Sequence, residues 1–396
     1  MPEYLTLDDV DVSGLDVLVR SDLNVPIEDG VITDDFRIRA ALPTLERLVD
    51  SGARVEVCSH LGRPEGPDPA FSLRPVADAM AGLTKKEIGF ESGGQITVLE
   101  NTRFDPGETK NDSATAAGLA GGVGLFVQDA FGSVHRAHAS TVGVAELVKS
   151  VAGPLLMGEL EALEHFLVDP KVPYVVVLGG AKVSDKLGVI ENLLPKVDVM
   201  LIGGAMCFTI LKAKGDEVGT SLVEDDQIEA VKRILDGPHA ERLILPVDVV
   251  IANEFGEDAE HKVTYVKEMP PGWMGLDVGR ETNQLFSSVI RTAETVFWNG
   301  PMGVFEWEPF KSGTEAIARA VAEATAYTAV GGGDSVAAVR SLGLESEISH
   351  VSTGGGAGLE LLEGRELPGV KVLEQWAISP PGGGSTGAAG EGGIPR

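Results

Sequence analysis

The chain has 396 residues, and its 60 aspartate and glutamate residues outnumber 32 lysine and arginine residues, giving a formal net charge of −28. This field repels nucleic acid and anionic membranes, so we expect neither as a partner. The length favours two domains, and no apolar run reaches the roughly 18 residues that span a bilayer.

The strand-like segments are short, nearly continuous apolar runs, as expected for parallel strands covered by helices on both faces. In chain order they are 15–20, 53–59, 96–100, 125–130, 174–180, 197–204, 243–252, 295–300, 327–333 and 348–356. Longer helical patterns separate them. This alternation predicts an α/β protein with two doubly wound, Rossmann-like parallel-sheet domains.

Three local features bear on organisation and compartment. A helix is predicted to begin at Pro154 and to join the two halves, because proline suits the first helical turn. Cys58 and Cys207 lie in apolar, strand-like runs and are expected to be buried thiols of a reducing cytoplasm. The N-terminus, MPEYLTLDDVDV, lacks the apolar region of a signal peptide, and residues 380–393 form a Gly/Ser-rich tail.

In the first half, the strand ends carry arginine and histidine. The segments are RSDLN, SHLGR, ENTRF and DAFGSVHRAH, and Arg37 follows at the start of a helix. Arginine binds carboxylate and phosphate in bidentate fashion, although any single arginine is as well explained by a surface acid partner. Their recurrence at the carboxyl ends of the strands indicates a basic pocket for an anionic metabolite.

In the second half, the strand ends carry glycine turns, at Gly179-Gly180, Gly203-Gly204, Asn299-Gly300, 331–334 and 354–356. Glycine lets backbone N–H groups approach phosphate, but it also makes ordinary turns. Lys182 and Lys186 are predicted to share one helical face at the first turn, where a bound anion would compensate them. Asp334 is either an N-cap or a ligand of Mg²⁺.

Ten motifs, in order, resemble those of the phosphoglycerate kinase family across almost the whole chain. They are RSDLNVP, SHLGRP, FSLRPVA, ENTRF, DAFGSVHRAHAS, LGGAKVSDK, WMGLDVG, WNGPMGVFE, GGGDS and STGGGAGLELLEG. The sequence departs from the family pattern at Thr102, Asp105, Gly158 and Ser335, but none of these changes removes a predicted ligand.

The resemblance implies the family's site residues by position. Those for 3-phosphoglycerate are Asp22, Asn24, Arg37, His60, Leu61, Gly62, Arg63, Arg103 and Arg136. Those for ATP or ADP with Mg²⁺ are Gly179, Gly180, Lys186, Gly204, Gly275, Asn299, Glu306, Gly332, Gly333, Asp334 and Ser335, with Asp334 on the metal. Arg37 and Lys182 are the implied catalytic residues.

The resemblance also implies a division of the chain, with a cleft between two domains. Residues 1–153 would bind 3-phosphoglycerate and be rejoined by residues 362–379, residues 154–361 would bind the nucleotide, and residues 380–396 would be a flexible tail. The implied protein is a cytoplasmic monomer of glycolysis and gluconeogenesis that bends at a hinge. The acidic composition further suggests adaptation to high salt.

Two other classes of protein fit single features. A dinucleotide-dependent dehydrogenase also uses glycine turns, but no turn here reads G-x-G-x-x-G with an acid about 20 residues later; fluorescence of bound nicotinamide would distinguish it. A non-catalytic anion-binding module would keep the arginines without needing Lys182 and Asp334. A coupled ATP-turnover assay would separate that class.

Overall fold

A computed structural model of the chain describes residues 4–378, so the predicted Gly/Ser-rich tail lies outside the described residues. The described residues divide into two compact units. The first unit contains residues 4–129, 136–154 and 368–378, and the second contains residues 130–135 and 155–367.

Strands and helices alternate along most of the chain. In the described residues the strands are β1 (Asp16–Arg20), β2 (Ile27–Glu28), β3 (Val31–Ile32), β4 (Arg54–Cys58), β5 (Ile88–Phe90), β6 (Ile96–Val98), β7 (Leu125–Gln128), β8 (Ser150–Ala152), β9 (Tyr174–Leu178), β10 (Val199–Ile202), β11 (Leu243–Ile244), β12 (Asp248–Ala252), β13 (His261–Tyr265), β14 (Met274–Val278), β15 (Thr295–Asn299), β16 (Tyr327–Gly331) and β17 (His350–Val351). The α-helices there are α1 (Phe36–Asp50), α2 (Arg74–Leu83), α3 (Ser113–Ala120), α4 (Val144–Leu147), α5 (Pro154–Leu167), α6 (Leu187–Leu193), α7 (Met206–Lys214), α8 (Ile228–Leu235), α9 (Arg280–Ile290), α10 (Ser312–Glu323), α11 (Gly333–Ser341), α12 (Gly356–Leu362) and α13 (Pro368–Ile378).

The first unit is built on a six-stranded sheet of order β5-β6-β4-β1-β7-β8, in which every neighbouring pair is parallel. Val17 and Val19 of β1 belong to a core that also contains residues of α1 and α2. Leu18, which points to the opposite face by strand alternation, is fully buried too. Both faces of the central strand are therefore covered, as its continuous apolar run predicts.

The second unit contains a matching parallel sheet of order β11-β10-β9-β15-β16-β17. Every residue of β9 and β15 is buried. Both large sheets thus confirm the predicted class of two doubly wound α/β sheets.

The second unit also contains a three-stranded antiparallel sheet, β13-β12-β14, which the sequence did not predict. The single strand predicted for 243–252 is wrong, because it divides into β11 of the parallel sheet and β12 of the antiparallel one. Pro246 lies between them and has no N–H with which to continue a ladder.

The two cysteines differ in setting but not in chemistry. Cys58 ends β4 as expected, whereas Cys207 lies in α7 rather than in a strand. Both are buried, unpaired thiols whose pKa burial raises. Among residues 4–378, no helix has both the length and the apolar composition of a membrane span.

Candidate functional site

The segment after β1 carries the first predicted ligands. Arg37, the second residue of α1, donates from Nη1 to Oδ1 of Asp22 at 2.6 Å. The Arg37 side chain is 31% exposed and that of Asp22 is 14% exposed. Because a guanidinium carries five N–H donors, this ion pair orients Arg37 and leaves it further donors for a ligand.

The SHLGR turn is held from both sides by other predicted ligands. Asn24 accepts the Gly62 N–H through Oδ1 at 2.8 Å, and Arg103 donates from Nη1 to the Gly62 carbonyl oxygen. Gly62 has φ of +62°, and a Cβ there would lie 2.3 Å from the Phe71 ring. The position therefore requires glycine.

Leu61 contributes to this turn through its backbone. Its side chain is buried, and Asn101 accepts its N–H at 3.2 Å and donates to its carbonyl oxygen at 2.7 Å. These bonds fix where the turn begins.

Three predicted arginines, Arg63, Arg103 and Arg136, line one cavity of about 580 Å³. Lys110 and His138 line the same cavity. Burial lowers the pKa of Arg103, and the nearby charges of Arg136, Arg20 and Arg63 lower it further. A bound anion would remove this like-charge repulsion, so the cavity favours an anionic ligand.

The positive charges around this cavity, together with that of Arg37, also act on His60. Burial holds the pKa of His60 well below its usual range, and the charges of Arg20, Arg103, Arg37 and Arg136 lower it further. His60 is therefore a neutral imidazole at pH 7. It can bind an anion through a hydrogen bond but not through a positive charge of its own.

Sequence reasoning missed a buried network beneath this site. Arg20, Ser140 and Glu108 are each almost completely buried, and Arg20 contacts the Nδ1 atom of His60 at 3.0 Å. Burial opposes ionisation of Glu108, but His138, Arg20 and Ser140 outweigh it and lower its pKa to about 2. Arg20 opens the RSDLNVP motif, whereas no sequence pattern distinguishes Glu108.

In the second unit, the glycines at the ends of β9 and β10 do not present their N–H groups to a ligand. Gly179 donates to the Asn299 carbonyl oxygen at 2.9 Å and Gly180 to that of Pro301 at 2.9 Å. Gly204 donates to Met302 at 3.1 Å. The expectation that these N–H groups cradle phosphate is wrong, because carbonyl groups at the end of β15 and just after it already accept them.

Close backbone approach is what these glycines provide. A Cβ on Gly179 would lie 2.2 Å from the Pro301 carbonyl oxygen. One on Gly204, where φ is +63°, would lie 2.4 Å from the Gly180 nitrogen. No other residue fits at these positions without moving the backbone.

Gly179, Gly180 and Gly204, at the ends of β9 and β10, form a glycine edge of the sheet. A largely apolar cavity of about 490 Å³ is lined by Gly180 and Gly204 of this edge. Gly275 of β14 lines it, donates its N–H to Ser221 Oγ at 2.9 Å, and would place a Cβ 1.9 Å from the Phe208 ring. Of the predicted nucleotide ligands, the cavity wall includes Gly180, Gly204, Gly275, Glu306 and Asp334. Its size and apolar walls suit a flat organic ring such as a nucleotide base.

Lys182 and Lys186 do not share a helical face, because both precede α6. Lys182 is exposed. Lys186 is 8% exposed and donates from Nζ to Oδ1 of Asn299, the last residue of β15. Burial lowers its pKa to about 8, against the raising effect of nearby acids including Asp334. The turn therefore holds one exposed and one buried amine.

Gly333, Asp334 and Ser335 form the first turn of α11, and Gly332 before them has φ of +90°. Helix geometry leaves the first N–H groups of α11 without partners inside the helix. Ser335 is fully buried, and its Oγ accepts the Gly300 N–H at 2.6 Å. Its hydroxyl thus joins α11 to the end of β15.

Asp334 fits the ion that the resemblance implies. Its carboxylate is exposed and lines the cavity, and carboxylate oxygen is a donor that Mg²⁺ prefers. Among residues 4–378, no group of three or more His, Cys, Asp or Glu side chains is arranged to hold a metal. The Asp334 carboxylate could serve as one ligand of an ion whose other ligands are water and phosphate.

Asp277 was not predicted from the sequence. It is 3% exposed, lines the same cavity, and accepts N–H groups of Gly313 at 2.8 Å and Val278 at 2.9 Å. Burial raises its pKa to about 7 despite these hydrogen bonds and one from Ser312. Its position inside an apolar motif, WMGLDVG, was the available signal.

The chain is similar to known proteins over almost its whole length. Residues 7–365 match the sequence pattern of the family described as phosphoglycerate kinase. The chain is 56% identical over 384 residues to phosphoglycerate kinase from Rubrobacter xylanophilus, covering 93% of this chain and 97% of that protein. It is 50% identical over 386 residues to that from Deinococcus radiodurans, with 93% and 94% covered.

Solved structures give the same result. Phosphoglycerate kinase from Coxiella burnetii superposes with a TM-score of 0.86 at 43% identity, covering 95% of this chain and 100% of that one. The enzyme from Pyrococcus horikoshii gives a TM-score of 0.82 at 30% identity, with 93% and 98% covered. The chain belongs to the phosphoglycerate kinase family.

Proposed function

We propose that the chain catalyses reversible phosphoryl transfer between ATP and 3-phosphoglycerate, giving ADP and 1,3-bisphosphoglycerate, in glycolysis and gluconeogenesis. The single observation that carries this proposal is the pairing, within a member of this family, of an arginine-lined cavity with a glycine-edged apolar cavity. The first suits a small, highly charged acid, and the second suits a nucleotide.

The acid substrate would bind in the first unit. The proposed ligands are the side chains of Asp22, Asn24, Arg37, His60, Arg63, Arg103 and Arg136, on a turn set by Leu61 and Gly62. Because several guanidinium groups converge there, phosphate and carboxylate can each receive charge-assisted hydrogen bonds.

The nucleotide would bind in the second unit. Its base would enter the apolar cavity at Gly275, its ribose hydroxyl groups would donate to Glu306, and its phosphates would lie near Lys186, Asn299 and the start of α11. When bound through Asp334, Mg²⁺ would neutralise charge on the phosphate oxygens. The glycine turns would allow the backbone segments beside the nucleotide cavity to pack closely together.

The chemical step needs no general base. The attacking carboxylate is already ionised at pH 7, since carboxyl groups ordinarily titrate near pH 4. Catalysis then depends on alignment and on charge that stabilises the transferring oxygens. We assign that role to Arg37 and to the exposed amine of Lys182.

Substrate binding would also drive hinge bending. In-line transfer requires the reacting atoms to approach to about 3–3.5 Å. With acid and nucleotide held by different units, we expect the radius of gyration to fall only when both ligands are present. Solution X-ray scattering with each ligand alone, and with both, tests this; an unchanged radius with both would contradict it.

The acidic composition supports a further proposal, that the protein works at high salt in the cytoplasm, as a monomer. A net charge of −28 repels itself and the anionic substrates. At about 1 M salt the Debye length falls to about 3 Å, which suppresses this repulsion. The melting temperature should therefore rise with KCl into the molar range; a flat or falling profile would contradict the proposal.

The direct test of function is formation of acyl phosphate from ATP and 3-phosphoglycerate by purified protein. Lys182→Ala serves as the negative control for contaminating host enzyme. We expect activity that requires both substrates and Mg²⁺. Binding of both ligands without turnover would favour a non-catalytic anion-binding protein, and fluorescence of bound nicotinamide would favour a dehydrogenase.

A further inference from the structure

We propose that Arg20, Ser140 and Glu108 form a positioning network that holds His60 with its single proton on Nε2, so that the ring presents an N–H donor to an anionic ligand. The three residues lie outside the predicted set of substrate ligands. The inference rests on the proposed function only for the identity of that ligand, 3-phosphoglycerate.

The direction of each hydrogen bond follows from the acid at one end. Glu108 is ionised and fully buried, and it accepts the Ser140 N–H at 3.0 Å and the Ser140 O–H at 2.7 Å. A hydroxyl has only one proton to donate. Ser140 Oγ must therefore act as the acceptor in its 2.9 Å contact with Arg20 Nε.

Arg20 in turn determines which nitrogen of His60 carries the proton. A guanidinium has donors only, so its Nη2 atom, 3.0 Å from His60 Nδ1, must donate to that nitrogen. Arg20 also donates from Nη1 to the carbonyl oxygen of Ser21. With three of its nitrogens engaged and 1% of its surface exposed, Arg20 is held in one orientation. A neutral imidazole that accepts at Nδ1 carries its proton on Nε2.

The two other states of His60 are disfavoured by the same contacts. A proton on Nδ1 would bring two N–H groups face to face across 3.0 Å. A doubly protonated ring would add a positive charge among Arg20 of β1, Arg37 of α1, Arg103 after β6 and Arg136 after β7. Glu108 is the one carboxylate in this network, and Ser140 and Arg20 separate it from the ring.

This arrangement gives His60 a defined chemical preference. The fixed N–H donates only to a group with a lone pair, such as carboxylate or phosphate oxygen, and it does not depend on protonation near neutral pH. The arginines attract the anion by their charge, and the His60 N–H sets the direction of one hydrogen bond to it. Loosening the network should therefore weaken binding of the acid without changing the binding of nucleotide.

Nitrogen-15 NMR of labelled histidine reports this tautomer directly, with His60→Gln to assign the signal. We expect the Nδ1 of wild-type His60 to be unprotonated and the Nε2 to be protonated from about pH 6 to pH 8, around the ordinary histidine pKa. Ser140→Ala should produce a mixture of tautomers. Ser150→Ala is the matched control, because Ser150 is equally buried but donates to the backbone at Val148.

Kinetics supply the second readout. In Ser140→Ala the KM for 3-phosphoglycerate should rise about tenfold, the loss of one hydrogen bond to a charged group, while kcat and the KM for ATP stay within about twofold. Arg20→Lys keeps the charge but cannot bridge both partners, and it should act in the same direction. If Ser140→Ala does not fold, the wild-type NMR and Arg20→Lys still decide the matter.

A wild-type His60 protonated on Nδ1, or an unchanged tautomer and KM in Ser140→Ala, would overturn the positioning network. The predicted tautomer, with an Nε2 signal that 3-phosphoglycerate does not shift, would support the network but contradict the proposed substrate site. The two failures are thus distinguishable.

Discussion

The candidate sites of the two units are built from different parts of the chain. In the first unit, charged side chains line the cavity. Buried polar groups hold its surroundings, since Arg20 contacts His60 and Asn101 bonds the Leu61 backbone. In the second unit, the backbone approaches so closely at Gly179 and Gly204 that a Cβ would meet main-chain atoms within 2.5 Å. A small, highly charged acid suits the first arrangement, and a large ligand with a flat base suits the second.

The difference implies different responses to mutation. Removing one arginine deletes a contact but leaves the surrounding polar framework in place. Adding one methyl group to a glycine edge forces the backbone to move, because main-chain atoms cannot rotate away as a side chain can. Each substitution in the first site should therefore remove part of the affinity for the ligand. A substitution in the second site should weaken binding because the backbone around the cavity changes its shape.

We expect the largest effect from replacing Lys182. This residue is an exception in the second unit, because it would act through an exposed, charged side chain. Lys182→Ala should lower kcat by about two to three orders of magnitude with little change in KM, since we propose that the lost charge acts on the transferring phosphoryl group. Lys214→Ala, at another exposed lysine of this unit, is the control. Single-turnover kinetics are the measurement, and near-normal chemistry in Lys182→Ala would rule out this role.

Arg37→Ala sharpens the comparison in the first unit. Loss of a charge-assisted contact should weaken binding of 3-phosphoglycerate by about 10- to 100-fold and leave nucleotide binding unchanged. Arg39→Ala is a matched control, because Arg39 lies two residues away on α1, is exposed, and pairs with Asp35. Titration calorimetry with each ligand gives both affinities. Equal losses in the two variants would mean that only general charge matters.

Gly204→Ala tests the glycine edge. The variant combines strain at positive φ, about 1–2 kcal/mol, with overpacking of about 1–3 kcal/mol, and should weaken nucleotide binding about tenfold. Gly215→Ala separates the two terms, because Gly215 has φ of +92° but open space around its Cβ position. Chemical denaturation and nucleotide titration measure them. If the two variants behave alike, close approach is not what Gly204 provides.

Asp277 should give the protein a pH dependence of stability. Its pKa is raised from 3.8 to about 7 by burial, so the folded state holds the proton more tightly over that range. Its contribution is fully present below pH 3.8 and is lost as the pH rises through about 7. Relative to Asp277→Asn, wild-type stability should fall by up to about 1.4 kcal/mol per pH unit. Parallel denaturation profiles for the two proteins would contradict this.

Sequence patterns predicted the parallel sheets well, because buried parallel strands are continuous apolar runs. They failed where one continuous apolar segment contains two strands, β11 and β12, that belong to different sheets. A single proline between these strands separates them. They also placed Cys207 in a strand, because a short buried helix such as α7 is as apolar as a strand.

The sequence grouped candidate site residues well where the signal is a charged side chain. Arg63, Arg103 and Arg136 were expected together, and they line one cavity. Glu108 was missed because its importance comes from contacts with Ser140, 32 residues away. The glycine N–H groups were misread because the carbonyl groups that accept them, at the end of β15 and just after it, lie more than 90 residues further along the chain. Local sequence carries no record of such pairings.

We propose that side chains of the first unit bind the acid and that the backbone shape of the second unit binds the nucleotide. Titration calorimetry of 3-phosphoglycerate and of ADP with Mg²⁺, against Arg37→Ala and Gly204→Ala, tests it most directly. We predict that each variant loses affinity for one ligand by about tenfold or more and keeps the other within about twofold. Loss of 3-phosphoglycerate binding in Gly204→Ala, or of nucleotide binding in Arg37→Ala, would contradict this division between the two units.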